Sequence, residues 1–201
     1  IERTSSTTTY NTVTYWYCKY CGETDLKDHA GFDDWTKYIE NERFLEFVHS
    51  RPHHERTVKI LICGLPGAGK TTLSQALKKY LESKHCNVAC FNADEVRKLN
   101  NDWDFSQEGR LRQAQRMADL AAQIRVDYAI CDFVAPLPES HRIFAADWTV
   151  YVDTISASIY ADTNQIFQPP EKYDFRVTEW NSDFWANEIG RTILQQASQH
   201  K

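Results

Sequence analysis

The residues with the clearest chemical meaning form one continuous stretch from residue 58 to residue 72. An apolar run, Val58–Cys63, leads into a glycine-rich turn and then into Lys-Thr-Thr at the start of an amphipathic segment. The turn fits the spacing G-x-x-x-x-G-K-[ST], which is typical of a loop that binds nucleotide phosphates between a strand and a helix. A simple glycine-rich turn would not require the lysine and the two hydroxyls. The residues predicted to hold the nucleotide are Gly64, Pro66, Gly67, Ala68, Gly69, Lys70, Thr71 and Thr72.

These side chains predict a site for ATP and Mg²⁺. Glycines can adopt positive φ, so that backbone N–H groups converge on phosphate oxygens at the start of a helix. Lys70 can reach the β- and γ-phosphates, and the Thr71 hydroxyl can bind a Mg²⁺ ion that bridges them. Asp132 ends a predicted strand beside this loop and could hold the same ion through water. The alternative for Asp132 is a polar residue that merely ends the strand.

A second substrate is predicted beside the ATP, at the end of a strand over residues 88–92. In open α/β sheets, ligands bind outside the carboxyl ends of the strands, and Asp94 and Arg97 follow this strand directly. Asp94 could accept the proton of an attacking hydroxyl, and Arg97 could bind an anionic group. The alternatives are a helix N-cap for Asp94 and a surface salt bridge for Arg97.

A long helix with Ser106 as its N-cap is predicted up to about Arg125. Three arginines crowd its first half, where the helix dipole does not favour cations. They suggest a bound anion, although arginines on a solvated helix face are common. These residues are Arg110, Arg112 and Arg116.

A possible zinc site lies near the beginning of the chain. The C-x-x-C turn of Cys18 and Cys21 is half of a usual zinc site, and His49 and His53 have the H-x₃-H spacing. The gap between Cys21 and His49 is longer than in a zinc finger. Two cysteines in a tight turn, with the histidines in a solvated linker, are the alternative.

The composition is that of a small α/β protein in a reducing compartment. The 201 residues carry a formal net charge of −5, which does not favour nucleic acid as a partner but leaves a local basic patch open. No apolar run is long enough to span a membrane and the chain begins without signal-peptide features, so we expect a cytoplasmic protein without a membrane partner. Four of the six cysteines lie in or beside predicted core strands and are expected to be buried thiols: Cys63, Cys86, Cys90 and Cys131.

The predicted elements form a three-layer α/β/α domain with a parallel five-stranded sheet, preceded by a small module. Residues 1–14 are predicted as a flexible tail, residues 15–56 as the module with a helix over about 33–49, and residues 57–201 as the main domain. Strands are expected at 58–63, 88–92, 127–132, 148–152 and 173–178. Helices are expected at about 69–83, 106–125, 137–146 and 184–199, the last capped by Asp183.

Beyond the phosphate loop, several segments together resemble the adenylylsulfate kinase family of P-loop kinases. They are N-A-D-E-V-R from Asn92, L-N-N-D-W-D-F-S from Leu99, G-R-L-R-Q from Gly109, and Asp132-Phe133-Val134-Ala135-Pro136. The resemblance implies transfer of the ATP γ-phosphoryl group to the 3′-hydroxyl of adenylyl sulfate. It covers residues 57–136 clearly and is thin beyond them.

Carried over by position, the resemblance implies a set of roles for individual residues. Asp94 would act as base or orienter, with Lys70 and Arg110 also in catalysis. The acceptor would contact Asp94, Arg97, Phe105, Arg110, Gln113 and Phe133, with Phe105 stacked on its adenine. The sequence departs from the family where Asn92 replaces an aspartate, Gln113 an asparagine and Ala135 a serine.

A basic lid is a family feature that this sequence lacks. No Lys or Arg occurs between Arg142 and Lys172, so a cation over the transferring phosphoryl group would come from Arg110, Arg112, Arg116, the N-terminal module or another subunit. Two alternatives therefore stay open. One is a kinase for another hydroxyl, on another nucleotide or a modified base in DNA, and the other is a nucleotide-binding module without transfer activity. A homodimer is also left open.

Overall fold

The computed structural model describes residues 56–199 and two short strands, β1 (Tyr15–Tyr17) and β2 (Thr24–Leu26). These two strands pair in antiparallel orientation. Contacts between Cα atoms divide the chain into residues 1–53 and residues 54–201. The predicted tail, the predicted helix over 33–49 and the four predicted zinc ligands, Cys18, Cys21, His49 and His53, lie outside the described residues.

The second unit is built on a parallel sheet of five strands, as predicted. The strands are β3 (Val58–Cys63), β4 (Val88–Asn92), β5 (Tyr128–Asp132), β6 (Trp148–Val152) and β7 (Phe175–Val177). Their order in the sheet is β4-β5-β3-β6-β7, and every neighbouring pair is parallel. The carboxyl ends of all five strands therefore lie along one edge of the sheet.

Helices cover both faces of this sheet. They are α1 (Lys70–Ser83), α2 (Ala93–Leu99), α3 (Gln107–Gln123), α4 (Pro138–Phe144), α5 (Ala161–Ile166) and α6 (Ser182–Gln199). Side chains of α1 and α6 pack on one face, around Ile60 and Ile62. Side chains of α2, α3 and α4 pack on the other face, around Leu61 and Cys131. Successive side chains of β3 thus point into two cores, one on each face of the sheet. The sheet and the helices on its two faces form the three layers.

Local capping explains where two of the helices begin. Ser106 caps α3 as predicted, since its Oγ accepts a hydrogen bond from the Gly109 N–H at 3.1 Å. The predicted cap of α6 is wrong. Asn181 accepts from the Phe184 N–H at 3.2 Å, whereas Asp183 lies within the first turn, where a carboxylate favours the helix dipole.

None of the four thiols in or beside the strands forms a disulfide with another described residue. Three of them, Cys63, Cys86 and Cys131, are buried as predicted, whereas Cys90 is only half-buried because it lies on β4, the outermost strand on its side of the sheet. Among the described residues, no helix combines the length and the apolar character that a membrane crossing requires.

Candidate active site

The glycine-rich turn between β3 and α1 has a conformation that only glycine fits at its two ends. Gly64, Gly67 and Gly69 all have positive φ, of 143°, 85° and 93°. A Cβ on Gly64 would lie 2.3 Å from the carbonyl oxygen of Val152, and a Cβ on Gly69 would lie 2.8 Å from the Trp180 ring. The loop therefore packs against the end of β6 and against the connection between β7 and α6.

Lys70 begins α1 and is held across this loop. Its Nζ donates to the carbonyl oxygen of Leu65 at 2.9 Å, and the side chain is 9% exposed. Burial lowers the pKa of Lys70, although the nearby carboxylates of Asp132 and Asp94 favour its charged form. A buried ammonium with one neutral partner is a good site for phosphate oxygens, because they would supply the missing counter-charge.

Asp132 and Thr71 lie next to each other at the end of β5. The Thr71 hydroxyl is 3.3 Å from Asp132 Oδ1, and Asn92 donates to the same oxygen at 2.6 Å. Asp132 is 2% exposed, and its Oδ2 has no hydrogen-bond partner among the described residues. Burial raises the pKa of this carboxyl group, against the effect of the Asn92 hydrogen bond and of the Lys70 charge.

This arrangement fits a magnesium ion. A buried carboxylate oxygen without a partner is costly unless a cation or water meets it, and hydroxyl and carboxylate oxygens are ligands that Mg²⁺ prefers. Thr71 and Asp132 could therefore hold the ion. Elsewhere in the described chain, no group of three or more His, Cys, Asp and Glu residues is placed to bind a metal. The four predicted zinc ligands are not among these residues.

Asn92 caps α2 and thereby leaves the carboxylate of Asp94 free. It stands where the family that the sequence resembles has an aspartate. The Asn92 side chain caps α2 by accepting from the N–H groups of Asp94 and Glu95 at 3.0 and 3.1 Å. The alternative reading of Asp94 as the helix cap is therefore wrong. Within the described residues, the Asp94 carboxylate makes no hydrogen bond or ion pair, and it is exposed to the cavity that also contains Lys70.

Arg97 is a buried organiser of the following loop rather than a surface ion pair. It is 5% exposed and donates to the carbonyl oxygens of Asp102, Asp104 and Gly109 at 3.1, 2.9 and 3.4 Å. Its guanidinium carbon lies 4.7 Å from the centre of the Phe105 ring. Arg97 thus fixes the loop that presents Phe105, which is 49% exposed, to the cavity.

The three arginines of α3 differ in their contacts. Arg110 lines the cavity and is 7% exposed, with Nε donating to the Phe105 carbonyl at 2.8 Å. Arg112 and Arg116 pair with the Asp102 carboxylate, at 2.8 and 2.7 Å, and do not line the cavity. Of the three, only Arg110 is therefore placed to meet a ligand.

Two other predicted acceptor residues form the wall of the cavity. Gln113 is 3% exposed and donates to the Ala93 carbonyl at 3.1 Å. Phe133 packs edge-to-face on Phe144, with ring centres 5.5 Å apart. Both side chains are fixed by their neighbours, so they give shape to the cavity.

A single cavity of about 1020 Å³ joins the phosphate loop to the acceptor residues. The predicted site residues of the main domain line it, except for Gly64, Ala68, Arg112 and Arg116. Sequence reasoning missed Trp103, Tyr160, Asp162, Thr163 and Trp180, which also line it. Trp180 follows β7 at the same sheet edge as the phosphate loop, and this topological signal could have found it. No sequence pattern marks Asp162 or Thr163.

Comparison with known proteins gives consistent matches. The family model described as adenylylsulphate kinase matches residues 56–165. The adenylyl-sulfate kinase of Pseudomonas entomophila is 30% identical over 91 residues, which are 44% of each chain. The cytidine diphosphoramidate kinase of Campylobacter jejuni is 36% identical over 113 residues, covering 56% of this chain and 66% of that protein. The chain thus spans about half to two thirds of the length of these relatives.

Solved structures share the fold. The Mycobacterium tuberculosis APS kinase in complex with AMPPNP and APS superposes with a TM-score of 0.59 at 20% identity, covering 70% of this chain and 98% of that one. A hexameric APS kinase from Thiobacillus denitrificans gives a TM-score of 0.56 at 22% identity, covering 87% of this chain and 38% of that one. Because the family model spans more than half of the sequence, the chain belongs to the adenylylsulphate kinase family.

Proposed function

We propose that the protein transfers the γ-phosphoryl group of ATP to a ribose hydroxyl of a second nucleotide, and that the family's acceptor, the 3′-hydroxyl of adenylyl sulfate, is the first to test. The observation that carries this proposal is the Asp94 carboxylate, which is free of hydrogen bonds to the described residues and lines the same cavity as Lys70 and Thr71. A module that only binds nucleotides would not require a free carboxylate there.

The residues of the cavity divide the work of phosphoryl transfer. Lys70 and the loop amides hold the β- and γ-phosphates in line with the acceptor. Asp94 accepts the proton of the acceptor hydroxyl as its oxygen bonds to the γ-phosphorus, while the bond from that phosphorus to the β–γ bridging oxygen breaks and ADP leaves. Mg²⁺ held by Thr71 and Asp132 would neutralise charge on the phosphates.

Two exposed aromatic side chains support a cavity for two nucleotides. Phe105 lies beside Arg97 and Arg110, where the acceptor base is expected. Trp180 covers Gly69 at the phosphate loop and is 63% exposed, so we propose that it stacks on the adenine of ATP.

A second acceptor, cytidine diphosphoramidate, has a specific observation in its favour. The relative that is named for this substrate is 36% identical to the chain over 113 residues, against 30% over 91 residues for the Pseudomonas adenylyl-sulfate kinase. Both acceptors are nucleotides with a terminal group on a 5′-phosphate, so the same phosphoryl-transfer residues would serve either.

The test is turnover of Mg²⁺–ATP with each acceptor, with the product identified by mass. We expect Asp94→Asn to lower kcat by roughly 10²- to 10⁴-fold, because a positioned base typically contributes that much. Glu95→Gln, which removes the next carboxylate of the same exposed helix turn, should leave kcat nearly unchanged. ATP binding without turnover on any nucleotide acceptor would contradict the proposal and support a non-catalytic module or a different hydroxyl, such as that of a modified base in DNA.

A further inference from the structure

Asp162 places a carboxylate in the acceptor half of the cavity, within the lid segment that lacks Lys and Arg. Its Oδ2 is 3.1 Å from Nη2 of Arg110, and the same Nη2 donates to the Thr163 hydroxyl at 3.1 Å. The Arg110 side chain is 7% exposed, whereas that of Asp162 is 69% exposed. A ligand entering the cavity therefore meets the carboxylate as well as the guanidinium.

The charges that line the cavity balance. The cations are Lys70, Arg97 and Arg110, and the carboxylates are Asp94, Asp132 and Asp162. Lys70, Asp94 and Asp132 belong to the phosphoryl-transfer half. In the acceptor half, Arg97 already donates to three backbone carbonyls. The Arg110–Asp162 pair is the place in this half where a cation and an exposed carboxylate lie side by side.

This pair offers a hydrogen-bond donor and an acceptor side by side. Nε and Nη2 of Arg110 are used, but its Nη1 makes no hydrogen bond to the described residues. Asp162 accepts through Oδ2, and its exposed carboxylate has further lone pairs free. A matching terminal group would have an oxygen that accepts from Arg110 and an N–H that donates to Asp162.

We infer that Asp162 and Arg110 together select nucleotide acceptors whose terminal group carries an N–H donor beside an oxygen, as in a phosphoramidate, over acceptors that end in sulfate or phosphate. This inference rests on the proposed function and names the acceptor class for that site. Sulfate and ionised phosphate present only acceptor oxygens and negative charge, so one of their oxygens would face the Asp162 carboxylate unpaired. A site built to accept a hydrogen bond discriminates against a ligand that lacks the donor.

The matched test uses acceptors that differ in one terminal group. Cytidine diphosphoramidate and cytidine diphosphate share the nucleoside and the diphosphate linkage, and the adenosine pair repeats the comparison with the other base. For the wild-type protein we expect kcat/KM to favour the diphosphoramidate by roughly tenfold or more, since the ionised terminal phosphate of the diphosphate offers the Asp162 carboxylate only like charge and acceptor oxygens. In Asp162→Asn that ratio should fall about tenfold, mainly through a lower KM for the diphosphate.

Two variants control for charge and for structure. Asp162→Glu keeps the carboxylate and should retain most of the preference. Glu108→Gln removes a carboxylate from the exposed first turn of α3, outside the cavity lining, and should leave the ratio unchanged. Asp162 is exposed enough that its substitution should leave thermal unfolding close to that of the wild type.

The outcomes separate the inference from the proposed function. The inference would be overturned if the kcat/KM ratio of the two acceptors is unchanged in Asp162→Asn, or if kcat/KM rises equally for both. Phosphoryl transfer would remain intact, and Asp162 would then only shield Arg110. If the wild-type protein phosphorylates no nucleotide acceptor although it binds ATP, the proposed function fails, and the selectivity inference fails with it.

Discussion

Trp180 lies outside the phosphate-loop motif but packs directly on the loop. Its ring lies against Gly69, so close that a Cβ there would be 2.8 Å from a ring carbon, yet 63% of the residue is exposed. An aromatic ring that rests on a phosphate loop and faces a cavity is well placed to stack on a nucleotide base.

We expect Trp180→Ala to weaken ATP binding by roughly tenfold, since stacking of a base on an aromatic side chain contributes about 1–3 kcal/mol. Titration calorimetry with a non-hydrolysable ATP analogue measures this directly. Trp103→Ala is the control, because Trp103 is a comparably exposed tryptophan that lines the same cavity from the loop before α3. An unchanged Kd in Trp180→Ala would place the adenine elsewhere.

At the level of single residues, the phosphate loop and most of the residues around it were predictable, whereas the contacts made by the lid segment were not. The positions of Lys70 and Thr71 follow from spacing within one short segment, where chain geometry fixes the neighbours. The Asp162–Arg110 contact joins residues 52 positions apart. No local pattern specifies such a pair, because it depends on where the lid segment returns to the sheet edge.

At the level of elements, the loop between α2 and α3 is held by a cluster of charges. Asp102 accepts from Arg112 at 2.8 Å and pairs with Arg116 at 2.7 Å, while Asp104 pairs with Arg112 at 3.0 Å. The hydrogen bond from Arg112 is the main reason that the pKa of Asp102 lies well below its usual range. These contacts hold the loop that carries Phe105, so we expect them to influence the proposed acceptor site without touching it.

We expect Asp102→Asn to raise the KM for the acceptor by roughly two- to fivefold, the scale of an exposed ion pair, with little change in the KM for ATP. A carboxyl group with a lowered pKa in the folded state stabilises the fold above its unfolded pKa, about 4, and this contribution is lost as the pH falls further. The difference in thermal unfolding between the variant and the wild type should therefore be full at pH 7 and shrink below about pH 4.

Asp119→Asn is the matched control for this prediction, because Asp119 is an exposed carboxylate of α3, the helix that carries Arg112 and Arg116, and bonds only to Gln115 among the described residues. Equal effects of the two substitutions on the acceptor KM would show that the charge cluster does not position the loop.

Strand positions were predicted closely, whereas the helix in the lid segment was not. Apolar runs of five or six residues define β3 to β6 because both faces of the sheet are covered. The helix α5 has six residues and one buried member, Thr163, so it carries no periodic signal. The cap of α6 at Asn181 rather than Asp183 shows the same limit, since helix starts are set by a few local hydrogen bonds.

At the level of the whole molecule, the two helices that cover one face of the sheet, α1 and α6, meet at a glycine. A Cβ on Gly190 of α6 would lie 2.3 Å from a ring carbon of Tyr80 on α1. The close approach of these two helices closes the core around Ile189 and Leu77, both of which are fully buried. The order of the strands beneath them was not predictable, because it depends on contacts between distant segments.

We expect Gly190→Ala to lower the free energy of unfolding by about 1–3 kcal/mol, the usual cost of overpacking a core. Chemical denaturation measures the loss. The double variant Gly190→Ala, Tyr80→Ala should lose less free energy of unfolding than the sum of the two single losses, because the clash disappears when the ring is removed. If the two losses in the free energy of unfolding simply add, the helices move apart without strain and the prediction is wrong.

The balanced charge of the cavity has a consequence for how nucleotides arrive. Long-range steering of a charged ligand requires a potential that extends beyond the site, and three cations offset by three carboxylates create little of it, while the protein as a whole carries a net charge of −5. Encounter is then a matter of ordinary diffusion. The protein must then distinguish one anionic nucleotide from another by contacts that form after the nucleotide has entered the cavity.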